Sequence, residues 1–265
     1  MNNIKCIILD IDGTLINSKN KVTKFTRNVI KNIVKNDIMV ILASGRSTQY
    51  VVETSQKCSS SKIIISNNGS IIYDYKNNKY LYINKFTKNK LKQIWNICLK
   101  YNIDSIYNAN DIRYRKYICL DKSFNEKNDL VIENYEEIEK NIHQVVLLGK
   151  KDTDFKLCLN KIKKIDLIIN NSAKGSNGIS FADVNCNDVS KGTAIKKICK
   201  LFKIKKQEIL CIGDSINDIE LFENCGVKVA MKNSVEELKS KADYITEYTN
   251  EENGAAIFLQ KYITK

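Results

Sequence analysis

Proline is absent from all 265 residues, histidine occurs once, and no stretch is apolar for long. Turns therefore fall to glycine, asparagine and aspartate, and no proline-rich or other low-complexity linker divides the chain. The nine cysteines are odd in number, scattered and without a Cys-x-x-Cys pair, which argues for structural thiols over a disulfide framework or a zinc site. Cys6, Cys199 and Cys211 sit inside apolar patterns where a small buried side chain fits. The run Ile38-Met39-Val40-Ile41-Leu42-Ala43 is far too short to cross a bilayer, and Met1-Asn2-Asn3-Ile4-Lys5 leads straight into a strand pattern without the features of a signal peptide. A cytoplasmic protein with no membrane partner is expected.

Hydrophobic residues make up 43% and charged residues 28%, the balance of a globular protein of one large or two modest domains. Lys and Arg number 43 against 30 Asp and Glu, a formal charge of +13. The lysines are dispersed rather than clustered, and abundant Lys, Asn and Ile with no Pro is what an A/T-rich coding sequence yields, so no nucleic-acid partner is expected. Long-range attraction of phosphorylated substrates is kept as a secondary reading of the charge.

The segment Cys6-Ile7-Ile8-Leu9-Asp10-Ile11-Asp12-Gly13-Thr14 ends a buried strand in two carboxylates and a turn glycine. Strand side chains repeat every second residue, so Asp10 and Asp12 project to one side and repel unless a proton or cation compensates them. A divalent metal is the simplest compensator, and hard oxygen donors suit Mg2+ better than zinc.

Three further segments carry chemistry. Ser44-Gly45-Arg46 closes the buried strand Ile38 to Ala43, placing a hydroxyl at the edge where open α/β sheets bind ligands, although Ser-Gly alone is more often a turn. In Ser190-Lys191-Gly192-Thr193, Ser190 reads as a helix N-cap and Lys191 adds its charge to the positive end of the helix dipole. Gly213-Asp214-Ser215-Ile216-Asn217-Asp218 follows the strand Glu208 to Ile212 and again sets acids at a strand end; capping accounts for Asn217 or Asp218 but not for Asp214.

Between these segments strands and helices alternate. Helices are predicted over 23–36 and 47–58, strands over 38–43, 62–66, 71–73 and 79–83, with Asn67-Asn68-Gly69 as a turn. After Ser190 come helix, strand 208–212, helix 218–224, strand 227–230 and helix 234–241. Residues 84–185 read differently: an amphipathic helix over 87–101, strands over 104–107, 113–119, 143–148, 167–170 and 179–184, and a helix over 153–162. The fold class is α/β, a Rossmann-like parallel sheet core over 1–83 and 186–265 interrupted by an α+β domain over 84–185.

Taken in order, the four motifs resemble those of the haloacid dehalogenase-like hydrolases. The Ala43-Ser44-Gly45-Arg46 form and the tail Val229-Ala230-Met231-Lys232-Asn233-Ser234 with Asn253-Gly254 are similar to the Cof-type branch. Lys232 stands where that branch usually has Gly, and Phe222 where Met is common.

This resemblance implies a Mg2+-dependent phosphatase acting on a small phosphorylated metabolite, such as a sugar phosphate or a phosphorylated cofactor. Asp10 would be the nucleophile and Asp12 the general acid and base. Asp10, the Asp12 carbonyl and Asp214 would hold the metal, while Ile11, Ser44, Gly45, Lys191 and Asn217 would bind phosphate. Asp218 would orient Lys191 or a water on the metal, and the inserted domain would act as a cap. Arg46, Asn67 and Asn68, and in the cap Arg113, Arg115 and the loop 175–180, are polar candidates for substrate contact; the lone His143 reads as structural. A phosphomutase on the same scaffold and a non-catalytic binding protein are the alternative readings, and the oligomeric state is open.

Overall fold

A computed structural model describes residues 3–109, 112–121 and 129–263. The chain opens with β1 (Cys6–Leu9), α1 (Lys24–Lys35), β2 (Met39–Ala43), α2 (Thr48–Cys58), β3 (Ile63–Ser66), β4 (Ile71–Asp74) and β5 (Lys79–Ile83). It continues through α3 (Lys88–Lys100), β6 (Asp104–Asn108), β7 (Arg113–Lys116), β8 (Asp129–Val131), β9 (Gln144–Gly149), α4 (Asp152–Lys163), β10 (Leu167–Lys174) and β11 (Ser180–Cys186). It ends with α5 (Lys191–Phe202), β12 (Ile209–Gly213), α6 (Ile219–Glu223), β13 (Val227–Ala230), α7 (Glu236–Lys239), β14 (Tyr244–Ile245) and α8 (Gly254–Ile263). Residues up to 82 and from 190 onward pack as one compact unit, and residues 83–189 as another.

The first unit is built on an eight-stranded sheet in the order β14-β13-β12-β1-β2-β3-β4-β5. Its strands run parallel from β14 to β3, and β4 turns back antiparallel on β3. The central strands read as unbroken apolar runs because both faces are covered. Ile7, Leu9, Val40, Leu42, Leu210 and Ile212 face one way, against Val29, Ile30 and Ile33 of α1 and Phe258 and Leu259 of α8. Cys6, Ile8, Ile41, Cys211 and their neighbours face the other way, against Ile195 and Ile198 of α5 and Leu221 of α6. The helix starts carry their own caps: Thr23 accepts from the Thr26 N–H ahead of α1, and Ser190 and Thr193 exchange bonds at the start of α5.

The second unit is a six-stranded sheet in the order β10-β11-β9-β6-β7-β8. Leu91, Ile94 and Trp95 of α3 and Phe155, Cys158 and Ile162 of α4 pack with Tyr107, Tyr114, Val145 and Val184 in its core. Among the described residues, no helix of either unit is long and apolar enough to cross a membrane.

Several elements depart from the sequence expectation for identifiable reasons. The strand predicted to run to Cys119 stops at Lys116, because the N–H groups of Ile118, Cys119 and Leu120 turn to donate to the buried Asp104 carboxylate at 2.8, 2.7 and 3.3 Å. The strand predicted to end at Asn170 continues to Lys174 past a register shift between Ile169 and Asn171, which breaks the alternation that the pattern relies on. The helix predicted from Asp218 begins instead at Ile219, after a 3-10 turn over Ile216–Asp218.

Candidate active site

The β1, β2 and β12 strands lie side by side with Leu9 paired to both Leu42 and Ile212. Their carboxyl ends therefore share one edge of the sheet, and the chain leaves that edge through Asp10, Ser44 and Asp214. Asp10 is fixed by its N–H, which donates to the Ile212 carbonyl at 3.0 Å, and Ser44 by its N–H on the Ile65 carbonyl at 3.1 Å. This is the strand-end crevice where α/β sheets bind ligands, at the point where the strand order reverses direction from β1.

Lys191 reaches this edge from the first turn of α5. Its Nζ lies 2.5 Å from Asp10 Oδ1 and 2.7 Å from Asp218 Oδ1, and the residue is 2% exposed. Burial alone would lower the lysine pKa, but Asp10 and Asp218 overcome it and hold the ammonium charged above its ordinary range. The other Asp218 oxygen accepts the N–H groups of Asp214 at 3.0 Å and Ser215 at 3.1 Å. Asp218 is thus a fully buried acid with both oxygens committed, one to Lys191 and one to the backbone of the Asp214 turn.

One carboxylate oxygen from each of Asp10, Asp214 and Asp218 lies within 4.8 Å of the other two. A single ammonium does not neutralise three acids so close together. Burial, with the neighbouring acids adding to it, pushes Asp10 well above the usual carboxylate range, and burial followed by Asp218 raises Asp214 to about 7. A divalent cation would relieve the crowding of these acids. The all-oxygen donor set of the cluster fits Mg2+, and with Asp218 committed elsewhere the carboxylates with capacity to spare are Asp10 and Asp214. Gly13 lets Asp214 approach: at φ 78° it packs so closely on that carboxylate that a Cβ would overlap it.

The Asp12 carboxylate, expected to project beside that of Asp10, is not one of the three clustered acids, because β1 ends at Leu9 and the alternation of a strand does not extend to Asp12. Arg46 grips both of its oxygens, Nε on Oδ2 at 3.2 Å and Nη2 on Oδ1 at 2.8 Å, and the guanidinium also lies 5.1 Å from the centre of the Tyr50 ring. Ser44 is buried, and its Oγ accepts the Arg46 N–H at 3.2 Å, closing the turn through Gly45. Ile11 is fully buried, and its carbonyl accepts the N–H groups of Leu15 and Ile16, winding the loop tightly after the paired acids. Asn217 is half-buried, and its Oδ1 accepts the Ser215 hydroxyl at 2.5 Å, which orients its amide with Nδ2 as the remaining donor. Asn67 and Asn68 are each 1% exposed beneath the Ser44 turn.

Two side chains at this edge lay outside the sequence-derived set. Thr14 Oγ1 donates to Asp214 Oδ1 at 3.3 Å, and Asn233 Nδ2 donates to the Gly13 carbonyl at 2.8 Å. Thr14 could have been found from its place directly after Gly13; Asn233 lies 220 residues further on, inside the tail that resembles the Cof-type branch, but nothing there points it at Gly13.

The remaining candidates belong to the second unit. Arg113 Nε and Arg115 Nη1 both pair with Asp129, at 3.0 and 3.1 Å, and the Arg115 side chain is buried. Of residues 175–180, 175–179 form the tip between β10 and β11, where the Gly175 N–H donates to the Ile179 carbonyl, and Ser180 opens β11. His143 is buried ahead of β9, with its N–H on the Asn108 carbonyl and its own carbonyl accepting from Asn185 Nδ2.

Known proteins match along the length of the chain. The sequence is similar to the 5-amino-6-(5-phospho-D-ribitylamino)uracil phosphatase YwtE of Bacillus subtilis strain 168, with 27% identity covering 98% of this chain and 99% of the relative. It is also similar to the phosphatase YwpJ of the same organism, 28% identical over 97% of this chain and 99% of that protein. A crystal structure of a haloacid dehalogenase-like hydrolase from Bacteroides thetaiotaomicron superposes with a TM-score of 0.82 at 23% identity, covering 97% of this chain and 99% of its own. The family description of the haloacid dehalogenase-like hydrolases matches residues 7–259, from β1 into α8, and includes every residue gathered at the sheet edge. The chain belongs to the haloacid dehalogenase-like hydrolases.

Proposed function

We propose that this enzyme is a magnesium-dependent phosphatase that releases phosphate from a small phosphorylated metabolite, a sugar phosphate or a phosphorylated cofactor, through an aspartyl-phosphate on Asp10. One observation carries the reading: Lys191, a buried ammonium at a helix start, is clamped between Asp10 and Asp218 beside the Ser44 turn. A fixed cation next to a carboxylate nucleophile is what an anionic phosphate needs in order to approach a second anion. The relative YwtE is named for 5-amino-6-(5-phospho-D-ribitylamino)uracil, a phosphorylated ribityl chain on a pyrimidine, which supports a small phosphorylated metabolite as the substrate class.

In the first displacement an Asp10 oxygen bonds to phosphorus while the ester P–O bond breaks, and the leaving oxygen takes a proton from Asp12. In the second, water attacks the phosphorus of the acyl phosphate and Asp12 takes its proton. The bond to Asp10 then breaks, which frees phosphate and restores the carboxylate. Lys191, the Ser44 hydroxyl, the Asn217 amide and the N–H groups of Ile11 and Gly45 hold the other phosphate oxygens. Asp218 keeps Lys191 aimed at them, and Arg46 orients the Asp12 carboxylate. Asp10, the Asp12 carbonyl and Asp214 would hold Mg2+, which when bound cancels charge between nucleophile and phosphate.

The test is covalent trapping. Acid quenching of the protein during turnover of a phosphomonoester radiolabelled at phosphorus is expected to leave a hydroxylamine-labile label on the chain, absent in Asp10→Asn. Turnover without any label, or equal labelling of Asp10→Asn, contradicts the nucleophile.

A further inference from the structure

After β3 the chain makes a 3-10 turn through Asn67, Asn68 and Gly69 with φ of 50, 56 and 99°. Three left-handed residues in succession, two of them with side chains, are not a conformation a chain keeps unless its surroundings impose it. The surroundings here are two pieces of the site. On one side the Asn67 N–H donates to the Arg46 carbonyl at 3.0 Å and the Asn68 N–H donates to the Ser44 carbonyl at 3.1 Å, so the turn holds both ends of the Ser44-Gly45-Arg46 loop. On the other side Gly69 lies flat on the start of α5. A Cβ there would overlap the Ser190 carbonyl and sit 3.1 Å from the Lys191 nitrogen. The Ser70 N–H on the Asn67 carbonyl, at 3.1 Å, locks the turn shut.

We infer that Asn67-Asn68-Gly69 is a brace that sets the distance between the Ser44 loop and the Lys191 helix, and that its members are positioning residues for the phosphate held between them. The inference rests on the phosphatase reading above. Asn67 and Asn68, each 1% exposed, act through the loop, and Gly69 acts through the helix. The requirement at position 69 is double: a positive φ and the absence of a side chain, which glycine alone meets. The phosphate pocket is thereby built from four separate stretches of chain, with this turn as the common support of two of them.

The test is binding of inorganic phosphate to the full-length protein in the presence of Mg2+ by calorimetry, with kcat and KM on a phosphomonoester that the unaltered protein cleaves. Gly69→Ala has to push the Ser190–Lys191 peptide away from the Ser44 loop, and both the phosphate Kd and KM are expected to rise about tenfold or more, since displacements of an ångström at a site cost this much. A substitution that only weakens the fold lowers the folded fraction and the apparent kcat but leaves Kd and KM unchanged, and that pattern overturns the inference. If Gly69→Ala does not fold, Asn68→Gly and Asn68→Ala decide: both remove the amide, but only alanine resists the left-handed backbone. Kd and KM several-fold higher in Asn68→Ala than in Asn68→Gly support the brace, and equal values overturn it. Protein that binds phosphate but cleaves no monoester ends the phosphatase reading and leaves the brace to be judged on Kd alone; protein that binds no phosphate overturns both.

Discussion

Lys191 Nζ stands 2.7 Å from Asp218 Oδ1, and neither side chain meets solvent. A buried pair is more costly to break than it is valuable to keep, because the surviving charge loses its partner. Asp218→Asn keeps an oxygen for the Asp214 and Ser215 N–H groups but gives Lys191 no anion, while Asp10 still faces the ammonium. A loss of about 2–4 kcal/mol is expected from this mechanism, read as a shift in the denaturant midpoint, together with a fall in kcat of at least about tenfold as Lys191 loses its aim. Unchanged stability and turnover would remove Asp218 from the account.

Asp10→Asn should abolish turnover, by roughly a thousandfold or more, since the step that splits hydrolysis into two displacements is lost. The loss of stability is expected to be smaller than for Asp218→Asn, because removing one anion from Lys191 is offset by removing one of three buried, mutually repelling acids. Thermal unfolding beside steady-state kinetics checks both halves; retained turnover in a folded variant contradicts the first.

The Arg46–Asp12 pair is different in kind. Both side chains are about half exposed, at 53% and 41%, so the pair is worth at most about 1 kcal/mol to stability. Arg46→Gln is expected to leave the melting temperature nearly unchanged while lowering kcat more than it raises KM, because a mis-aimed Asp12 impairs proton transfer rather than binding. Asp12→Ala should likewise depress the chemical step more than Mg2+ affinity. A melting temperature that drops with no change in kcat would assign Arg46 a purely structural role.

His143 predicts a pH dependence of folding that is separate from catalysis. Burial lowers its pKa to about 4, against 6.5 in an unfolded chain. Below pH 6.5 the unfolded chain takes up a proton that the folded chain refuses, so stability is full above that pH and falls as pH drops toward 4. The group accounts for roughly 3 kcal/mol across that window. Denaturation midpoints at a series of pH values should fall less steeply in His143→Gln; parallel slopes would place the dependence elsewhere.

Much of this site is legible from residues 6–14, 40–46, 188–194 and 209–218, because each pairs a local rule with a chemical group: an apolar strand that ends in an acid or hydroxyl, or a helix start that carries a lysine. What is not legible is which side chains face one another. The Arg46–Asp12 and Asn233–Gly13 contacts join positions 34 and 220 residues apart, and nothing in their neighbourhoods encodes the pairing. The Asn67-Asn68-Gly69 turn is readable as a turn, but the crowding of Gly69 against Ser190 exists only once α5 is packed. Strands β8 and β14, three and two residues long, are shorter than any periodicity can register. The early end of β7 follows from a buried acid, Asp104, that captures three N–H groups from another segment.

The most direct measurement is phosphate release from a panel of sugar phosphates, nucleotides, pyridoxal phosphate and an aryl phosphate, each run with Mg2+ and with excess chelator. Release from at least one small phosphomonoester, lost on chelation and restored by Mg2+, is the predicted result. Release that is indifferent to chelation would contradict the metal reading of Asp10 and Asp214, and a folded protein silent on every member of the panel in the presence of Mg2+ would contradict the phosphatase itself.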